Sequence, residues 1–206
     1  MQPGWWEQVE RLLAGPRPVP LVHAGDPVLR RPTLPYDGEL PGELLADLLA
    51  AMRETMVAAP GVGLAAPQIG LGVRLAVIED PAQVDPDTAR ARDRHPLPFR
   101  VLVNPSYETV DDSREAFYEG CLSVPGYQAV VERAARVRLT GYDTDGLVLD
   151  EVVSGWAARI VAHETDHLDG RLYLDRAQTR SLTTTANYLR YWAAPTVDAA
   201  RAGLDF

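Results

Sequence analysis

Apolar residues along the chain form two long helical patterns. From Gly42 onward, leucines and methionines recur at three- and four-residue spacings, which predicts an amphipathic helix that ends near Pro60. A second set of apolar residues suits one face of a helix over 154–168, and Gly170 follows this stretch as a stop signal. The pattern therefore predicts two main helices that lie far apart in sequence.

Shorter apolar runs with strand character lie between these helices. They cover residues 73–78, 101–104, 130–131 and 137–142, and turn residues separate them. The sequence Asp-Thr-Asp-Gly at 143–146 follows the last run and predicts a hairpin. Because the strands do not alternate regularly with helices, the pattern predicts a mainly antiparallel α+β fold.

Two further segments have less regular patterns. Residues 79–100 are rich in proline and charge, so we expect an exposed excursion between the first two strands. In the tail, a helix is expected over 181–192, where Leu182, Ala186 and Leu189 could form a narrow apolar stripe. The sequence assigns no role to either segment.

The length of the chain suggests one domain, because 206 residues can bury a sizeable core. Prolines crowd the first 40 residues, which leaves room for a short helix at 6–13 in a mostly extended lead-in. We predict a single domain over 1–206, with an N-terminal extension at 1–20 and a C-terminal tail at 176–206.

Charge and composition narrow the classes of function. The chain has 20 Lys plus Arg against 29 Asp plus Glu, a net charge of -9, so direct nucleic-acid recognition is not expected. Residues 1–15 do not resemble a secretory signal, and no stretch approaches the roughly 20 apolar residues that span a bilayer. The single cysteine, Cys121, can form no internal disulfide. We expect a soluble cytoplasmic protein with no membrane partner.

An HExxH segment lies in the second predicted helix. Its i and i+4 spacing places the imidazoles of His163 and His167 on one helix face, where both can bind one cation with Glu164 beside them. The alternative is a surface helix that happens to hold two histidines, which the apolar residues just upstream disfavour. The segment therefore predicts a metal site.

A hydrolytic metal site usually has three protein ligands and keeps one position open for water. The other histidines, His23 and His95, lie in proline-rich segments, no histidine follows His167, and no glutamate follows Glu164. Cys121 is therefore the strongest candidate for the third ligand. A buried inert cysteine and a cysteine nucleophile are the alternatives, but a nucleophile would not explain the ligand spacing of the two histidines.

Three segments resemble the signature motifs of the peptide deformylase family, in the same order. They are 61–68 (GVGLAAPQ), 119–123 (EGCLS) and 163–170 (HETDHLDG), and the likeness extends over about 21–174. The resemblance implies an α+β fold of antiparallel sheets around a central helix that carries HExxH. It also implies removal of the formyl group from N-formyl-methionyl peptides of nascent chains, with release of formate.

The resemblance implies metal and proton-transfer roles for four residues. Cys121, His163 and His167 would hold the metal, and Glu164 would act as general base and then acid. The family implies Fe²⁺ as the ion, one per chain, with Zn²⁺, Ni²⁺ or Co²⁺ able to substitute. Asp166 would either orient a metal ligand through a hydrogen bond or be an exposed helix carboxylate.

The resemblance also implies how the substrate is held. The Gln68 amide and the Leu122 backbone N–H would polarise the formyl oxygen, although a glutamine in such a turn is often only solvated. Backbone groups of Val62, Gly63 and Gly120 would bind the peptide like an added strand, unless the glycines merely end a helix.

Nearness to the motifs suggests an apolar pocket for the methionine side chain, built from Val62, Phe117, Trp156 and Ile160. Since formyl peptides emerge at the ribosome, we also expect a transient ribosome contact. The tail offers a weak positive patch for it, at Arg176, Arg180, Arg190 and Arg201.

Two other functions compete with this interpretation. One is an HExxH zinc peptidase that cleaves internal peptide bonds, against which the missing downstream ligand argues. The other is a binding module with a structural metal, but structural sites normally have a fourth protein ligand and the sequence offers none.

Overall fold

Two antiparallel sheets form the framework of the computed structural model, which describes residues 5–206. In chain order the strands are β1 (Gly63–Ala65), β2 (Leu75–Asp80), β3 (Leu97–Thr109), β4 (Arg114–Cys121), β5 (Val124–Ala134), β6 (Arg136–Tyr142), β7 (Val148–Ser154) and β8 (Thr183–Thr184). The larger sheet has the order β1-β2-β3-β6-β7, and the smaller has the order β4-β5-β8. Thus β1 and β4 are both edge strands.

The helices lie around and between these sheets. They are α1 (Trp5–Leu13), α2 (Gly42–Ala58), α3 (Pro86–Ala91), α4 (Gly155–Leu168), α5 (Thr185–Asn187) and α6 (Asp198–Leu204). Short 3₁₀ turns occur at Pro27–Arg30, Ala66–Ile69, Tyr173–Asp175 and Thr179–Ser181, and a π-helical turn at Tyr188–Trp192. The helices predicted at 6–13, 42–60 and 154–168 are confirmed.

Helix α4 is the centre of the fold. Its apolar residues Ala158, Ile160 and Val161 pack into a core with Leu102 and Leu139 of the larger sheet, and the helix also contacts β5 of the smaller sheet. The predicted α+β fold, with antiparallel sheets around a central helix that carries HExxH, is confirmed. The site therefore lies on a helix that packs against both sheets.

Two glycines fix the ends of α4. Gly155 begins the helix at φ +60°, and a Cβ there would lie 2.4 Å from the carbonyl oxygen of Asp93, so the position requires glycine. Gly170 follows the helix at φ +75°, which bears out its prediction as the stop signal. The contact with Asp93 also brings the segment before β3 against the start of α4.

Helix α2 covers the other side of the larger sheet. Its Leu48, Met52 and Met56 are fully buried and pack in one core with Leu64 of β1 and Val77 of β2. Helix α1 packs on the outside of this core, and the four residues that precede it in the N-terminal extension lie outside the described part of the chain.

All four predicted strands exist, and the hairpin predicted at 143–146 joins β6 to β7. Strands β1 and β4 were not predicted. Strand β1 has only three residues in a glycine-rich motif, and β4 contains Glu115, Glu119 and Gly120, which are unfavourable in strands. Glu119 is tolerated because Arg133 and Arg159 of other elements pair with its carboxylate, a fact that local sequence does not show.

The helix predicted over 181–192 is confirmed only over 185–192, as α5 and the π-helical turn, because residues 183–184 form β8. The expected apolar stripe is wrong, since Leu182 and Leu189 are 50% and 67% exposed. The fully buried Ser181 explains the difference: its Oγ accepts a 2.7 Å hydrogen bond from the Val130 N–H and donates to the Gln178 carbonyl. These bonds hold the chain that precedes α5 against β5, where it forms β8.

The exposed excursion predicted at 79–100 is confirmed only in part, because residues 79–80 end β2, residues 97–100 begin β3 and fewer than half of the residues are exposed. The segment is anchored at specific points. Asp80 is 1% exposed and accepts two hydrogen bonds from Arg94, at 2.8 and 2.9 Å. The Arg92 guanidinium donates to the carbonyl oxygens of Ala194 and Pro195 at 3.0 and 3.3 Å. This segment therefore bridges the start of α4 and the C-terminal tail.

Candidate active site

The three predicted metal ligands meet at one point. Cys121 ends β4, and one turn of α4 separates His163 from His167. The Cys121 Sγ and one nitrogen of each imidazole all lie within 4.8 Å of one another, and Sγ is 3.2 Å from His167 Nε2. The fold thus brings together β4 and α4, whose candidate metal ligands lie some 40 residues apart in sequence.

The chemistry of these donors fits a transition-metal ion. A thiolate with two imidazoles suits iron, zinc, nickel or cobalt better than magnesium or calcium, which prefer oxygen. The Nδ1 atom of His167 is buried, and no carbonyl or carboxylate of the described chain forms a hydrogen bond with it. Within residues 5–206, this is the one cluster of potential ligands with such geometry.

A buried carboxylate orients the first histidine. Glu119 Oε2 lies 3.0 Å from His163 Nδ1, which leaves His163 Nε2 for a metal. Glu119 also accepts hydrogen bonds from Arg133, at 2.7 and 3.0 Å, and from Arg159, at 2.6 Å. Burial raises the pKa of Glu119, but Arg133 and His163 outweigh this effect and hold that pKa well below its usual range. Glu119 is therefore ionised.

Sequence reasoning assigned no role to Glu119, although it stands two residues before Cys121 in a motif. Its position on the strand that delivers the thiol was the available signal, but its arginine partners come from distant elements. Arg133 lies on β5 and Arg159 on α4. Only the fold brings these charges together.

Asp166 extends the same buried network. It is 1% exposed and accepts hydrogen bonds from Arg133 at 2.8 Å, from Arg176 at 2.9 Å and from the Tyr107 hydroxyl at 3.1 Å. The expectation of an exposed helix carboxylate is therefore wrong. Asp166 acts on His163 only indirectly, since Arg133 and Glu119 stand between them.

Glu164 has the properties of a proton-transfer group. It is 4% exposed, and burial raises the pKa of its carboxyl to about 7. Its Oε2 atom has no hydrogen-bond partner within the described chain. A Cβ at Gly63 would lie 2.3 Å from Glu164 Oε1, so the glycine of β1 makes room for this carboxylate. A carboxyl with a pKa near neutrality can both take up and release a proton.

Gln68 and Leu122 flank the thiol. Gln68 is 1% exposed, so the interpretation of a merely solvated glutamine is wrong. Its Oε1 accepts a 2.8 Å hydrogen bond from the Ala65 N–H, which turns Nε2 towards Cys121 Sγ, at 3.6 Å. Leu122 directly follows Cys121 in the tight connection to β5, and both residues line the same cleft.

This cleft has a volume of about 720 Å³ and lies between the free edges of β1 and β4. The predicted peptide-binding residues Gly63 and Gly120 stand on those two edges, Val62 directly precedes β1, and all three line the cleft. A Cβ at Gly120 would meet only an ordinary contact, 3.5 Å from Gln128, so the fold itself does not require glycine there. An extended peptide placed in the cleft would have a strand edge on each side.

The pocket residues proposed from sequence are only partly on the cleft wall. Val62, Trp156 and Ile160 line the cleft. Phe117 does not: it is 6% exposed and packs behind Trp156, with ring centroids 6.0 Å apart. Sequence reasoning missed several other lining residues, of which some come from distant segments and others stand beside the motifs; they are Arg92, Arg94, Tyr118, Arg159 and Tyr188.

Comparison with known proteins gives one family. The model described as polypeptide deformylase matches residues 18–182. The chain is 60% identical to peptide deformylase 3 of Streptomyces avermitilis over 200 residues, which cover 97% of this chain and 89% of that protein. It is 37% identical to the mitochondrial peptide deformylase of Homo sapiens over 196 residues, covering 91% of this chain and 79% of that protein.

Solved structures agree with these relatives. A peptide deformylase from Synechococcus elongatus, in complex with actinonin, has a TM-score of 0.69 and 35% identity, covering 81% of this chain and 84% of that chain. A class I type b peptide deformylase from Acinetobacter baumannii, bound to Met-Ala-Ser, has a TM-score of 0.69 and 34% identity, covering 77% of this chain and 97% of that chain.

No helix among residues 5–206 is both long and apolar enough to cross a membrane.

Proposed function

The chain belongs to the polypeptide deformylase family, and we propose that Cys121, His163 and His167 hold the metal ion of its reaction while Glu164 moves the proton. Members of this family remove the N-terminal formyl group from newly made polypeptides, and this chain is a hydrolase of that kind. The observation that carries the assignment of residues is the meeting of one thiol and two imidazoles within 4.8 Å, beside a buried carboxyl.

Glu164 performs the proton transfers in this proposal. A bound metal ion supplies a Lewis acid, which lowers the pKa of water and polarises the formyl carbonyl group. The Glu164 carboxylate takes the proton of the attacking water and then donates it to the departing amine. In the metal-free protein burial raises the pKa of Glu164 to about 7, which makes this carboxylate a stronger base than an exposed glutamate.

Gln68 and Leu122 stabilise the negative charge that develops on the formyl oxygen. The Gln68 Nε2 donor is held in place because its amide oxygen accepts from the Ala65 N–H. The Leu122 backbone N–H adds a second donor directly beside the Cys121 thiolate. Such preorganised donors lower the barrier because they need no rearrangement as the charge forms, and losing one commonly costs about 10²–10³ in rate.

The formylated peptide lies between the two sheet edges. Val62 and Gly63 on one side and Gly120 on the other offer backbone groups, as in strand addition to a sheet edge. The methionine side chain occupies the apolar part of the cleft at Trp156 and Ile160. Phe117 supports this pocket from behind through its edge contact with Trp156.

The ion we propose is Fe²⁺, which the donor set accommodates together with Zn²⁺, Ni²⁺ and Co²⁺. A thiolate ligand also makes the site sensitive to oxidation, since sulfur is then the most readily oxidised donor. Elemental analysis of protein purified without oxygen tests this choice. Fe²⁺ at one equivalent per chain is the expected result, and a full equivalent of zinc in protein from iron-replete cells would contradict it.

Three further proposals concern the location of the enzyme, its domain organisation and its contact with the ribosome. A cytoplasmic location is supported by the metal-site thiol, which needs reducing conditions. A single domain with flanking extensions is supported by the family match over residues 18–182.

Transient ribosome contact is supported by the exposed tail arginines Arg190 and Arg201, since Arg176 binds Asp166 and Arg180 donates to the Leu204 carbonyl. Unchanged co-sedimentation with ribosomes at low salt after Arg190→Glu and Arg201→Glu would contradict it.

Formate release from an N-formyl-methionyl peptide tests the assignment of Glu164. We expect release by the native protein, and a rate at least about 10²-fold lower for Glu164→Ala, because the proton acceptor is lost. Glu132→Ala, which removes an exposed carboxylate of β5, is the matched control and should retain activity. Equal rates for Glu164→Ala and native protein would refute the role of Glu164, and cleavage of internal bonds in an unformylated peptide would indicate a peptidase.

A further inference from the structure

Three guanidinium groups stand together at one end of the cleft, although the protein as a whole is acidic. Arg92, Arg94 and Arg159 all line the cleft, and each lies over the Trp156 ring, at 5.2, 5.2 and 5.7 Å from its centroid. The net charge of the chain is -9, so its overall field would repel acidic peptides. The charge at this end of the cleft is opposite to that of the molecule.

The three arginines differ in how their charges are balanced. Arg94 binds Asp80 through two hydrogen bonds, and Arg159 binds Glu119 at 2.6 Å. Arg92 donates only to main-chain carbonyl oxygens of the tail, and no carboxylate among residues 5–206 lies within ion-pair distance of it. Arg92 is therefore the cleft arginine whose charge is free to pair with a ligand.

Arg92 is also held in place. Its guanidinium is fixed on one side by the carbonyl oxygens of Ala194 and Pro195, and on another by the rings of Trp156 and Phe117, at 5.2 and 5.5 Å from their centroids. A side chain that is already ordered loses little conformational entropy when it binds a ligand. The segment before β3 and the tail thus combine to present one positive charge at the cleft wall.

We propose that Arg92 is a specificity-determining residue, which favours formylated peptides with Asp or Glu among the first three residues after methionine over peptides with Lys or Arg there. The inference rests on the proposed function, which places the methionine side chain at Trp156 and Ile160. Successive residues of an extended peptide advance by about 3.3–3.6 Å, so the residues after methionine pass the half-buried Arg92 within a short distance. A carboxylate there gains a partner, and an ammonium group is repelled.

The test uses C-terminally amidated formyl-methionyl peptides with Glu, Gln or Lys at each of the three following positions. The quantity compared is the Glu-to-Lys ratio of kcat/KM within one enzyme, because this ratio does not depend on the fraction of active protein. The native enzyme is expected to favour Glu by about threefold or more at one position or more, as for a partly exposed ion pair. Arg92→Gln is expected to reduce the ratio to one or below.

Arg90→Gln is the matched control. Arg90 lies two residues earlier on α3, its side chain is 79% exposed, and it pairs with Asp87 rather than lining the cleft. Arg90→Gln removes the same charge from the same segment. This variant should therefore leave the Glu-to-Lys ratio of kcat/KM as in the native enzyme. A native ratio of one or below at all three positions would overturn the proposal, and so would an unchanged ratio in Arg92→Gln or an equal loss in Arg90→Gln. Turnover of the Gln peptides reports deformylation itself, so failure of the proposed function would be seen separately.

Discussion

The two ends of the cleft are built in opposite ways. At the metal end, charged groups are buried and paired with one another: Glu119, Arg133 and Asp166 are all 6% exposed or less. At the outer end, Arg92 and the tail are partly exposed, and main-chain carbonyls rather than carboxylates hold the arginine. The first arrangement fixes the position of reacting groups, and the second leaves a charge available for a substrate.

This difference has an energetic basis. A buried ion pair tolerates no loss of a partner, because the remaining charge is left in a medium of low polarity. An exposed arginine that binds carbonyl groups keeps much of its hydration and can accept a new partner at little cost. The reacting groups at the metal end are therefore held in fixed positions, whereas the outer end can accept peptides of varied sequence.

The largest effect on stability is expected at Glu119. Glu119→Gln should lower the free energy of unfolding by about 3–5 kcal/mol, because Arg133 and Arg159 lose their shared buried carboxylate. Denaturant titration measures this change. Asp150→Asn is the comparison, since Asp150 forms the same two-bonded geometry with Arg138 on an exposed surface and should change stability little. Equal losses in the two variants would contradict the contrast between buried and exposed pairs.

The next largest effect is expected at the two glycines that line the cleft. Gly63→Ala places a methyl group 2.3 Å from Glu164 Oε1 and must displace the carboxylate, so kcat should fall by about 10²-fold with the metal retained. Gly120→Ala meets only Gln128 at 3.5 Å, so it should leave the melting temperature unchanged and act mainly on KM. A reversed pattern, with kcat lost at Gly120 alone, would show that Gly63 does not position Glu164.

The smallest effects distinguish the observed tail from the apolar helical stripe that its sequence suggested. Ser181→Ala removes the acceptor of the buried Val130 N–H and should cost about 1–3 kcal/mol of stability. Leu189→Ser, in the expected apolar stripe, should change stability by no more than about 0.5 kcal/mol, because Leu189 is 67% exposed. Thermal unfolding of both variants gives the comparison, and a larger loss for Leu189→Ser would favour a buried apolar stripe on the tail helix.

The same contrast explains what the sequence predicted and what it did not. Helix α4 and its ligands could be predicted, because the spacing of His163 and His167 reports directly on one face of one helix. Cys121 followed from the need for a third ligand. The network behind them could not be predicted, since Glu119 and Arg133 lie on different strands and their pairing depends on how β4 and β5 register. The start of the tail helix was placed too early because the buried hydroxyl of Ser181 bonds to β5, which the helical pattern does not show.

Cobalt substitution tests the central claim, that Cys121 holds the metal together with His163 and His167. Cys121 is the single cysteine of the chain, so a thiolate-to-cobalt absorption band in the near ultraviolet has one source. The native protein and Glu164→Ala should both bind one equivalent of Co²⁺ and show the band, whereas Cys121→Ser should lose it. A band that persists in Cys121→Ser, or that is absent from native protein with cobalt bound, would contradict the site described above.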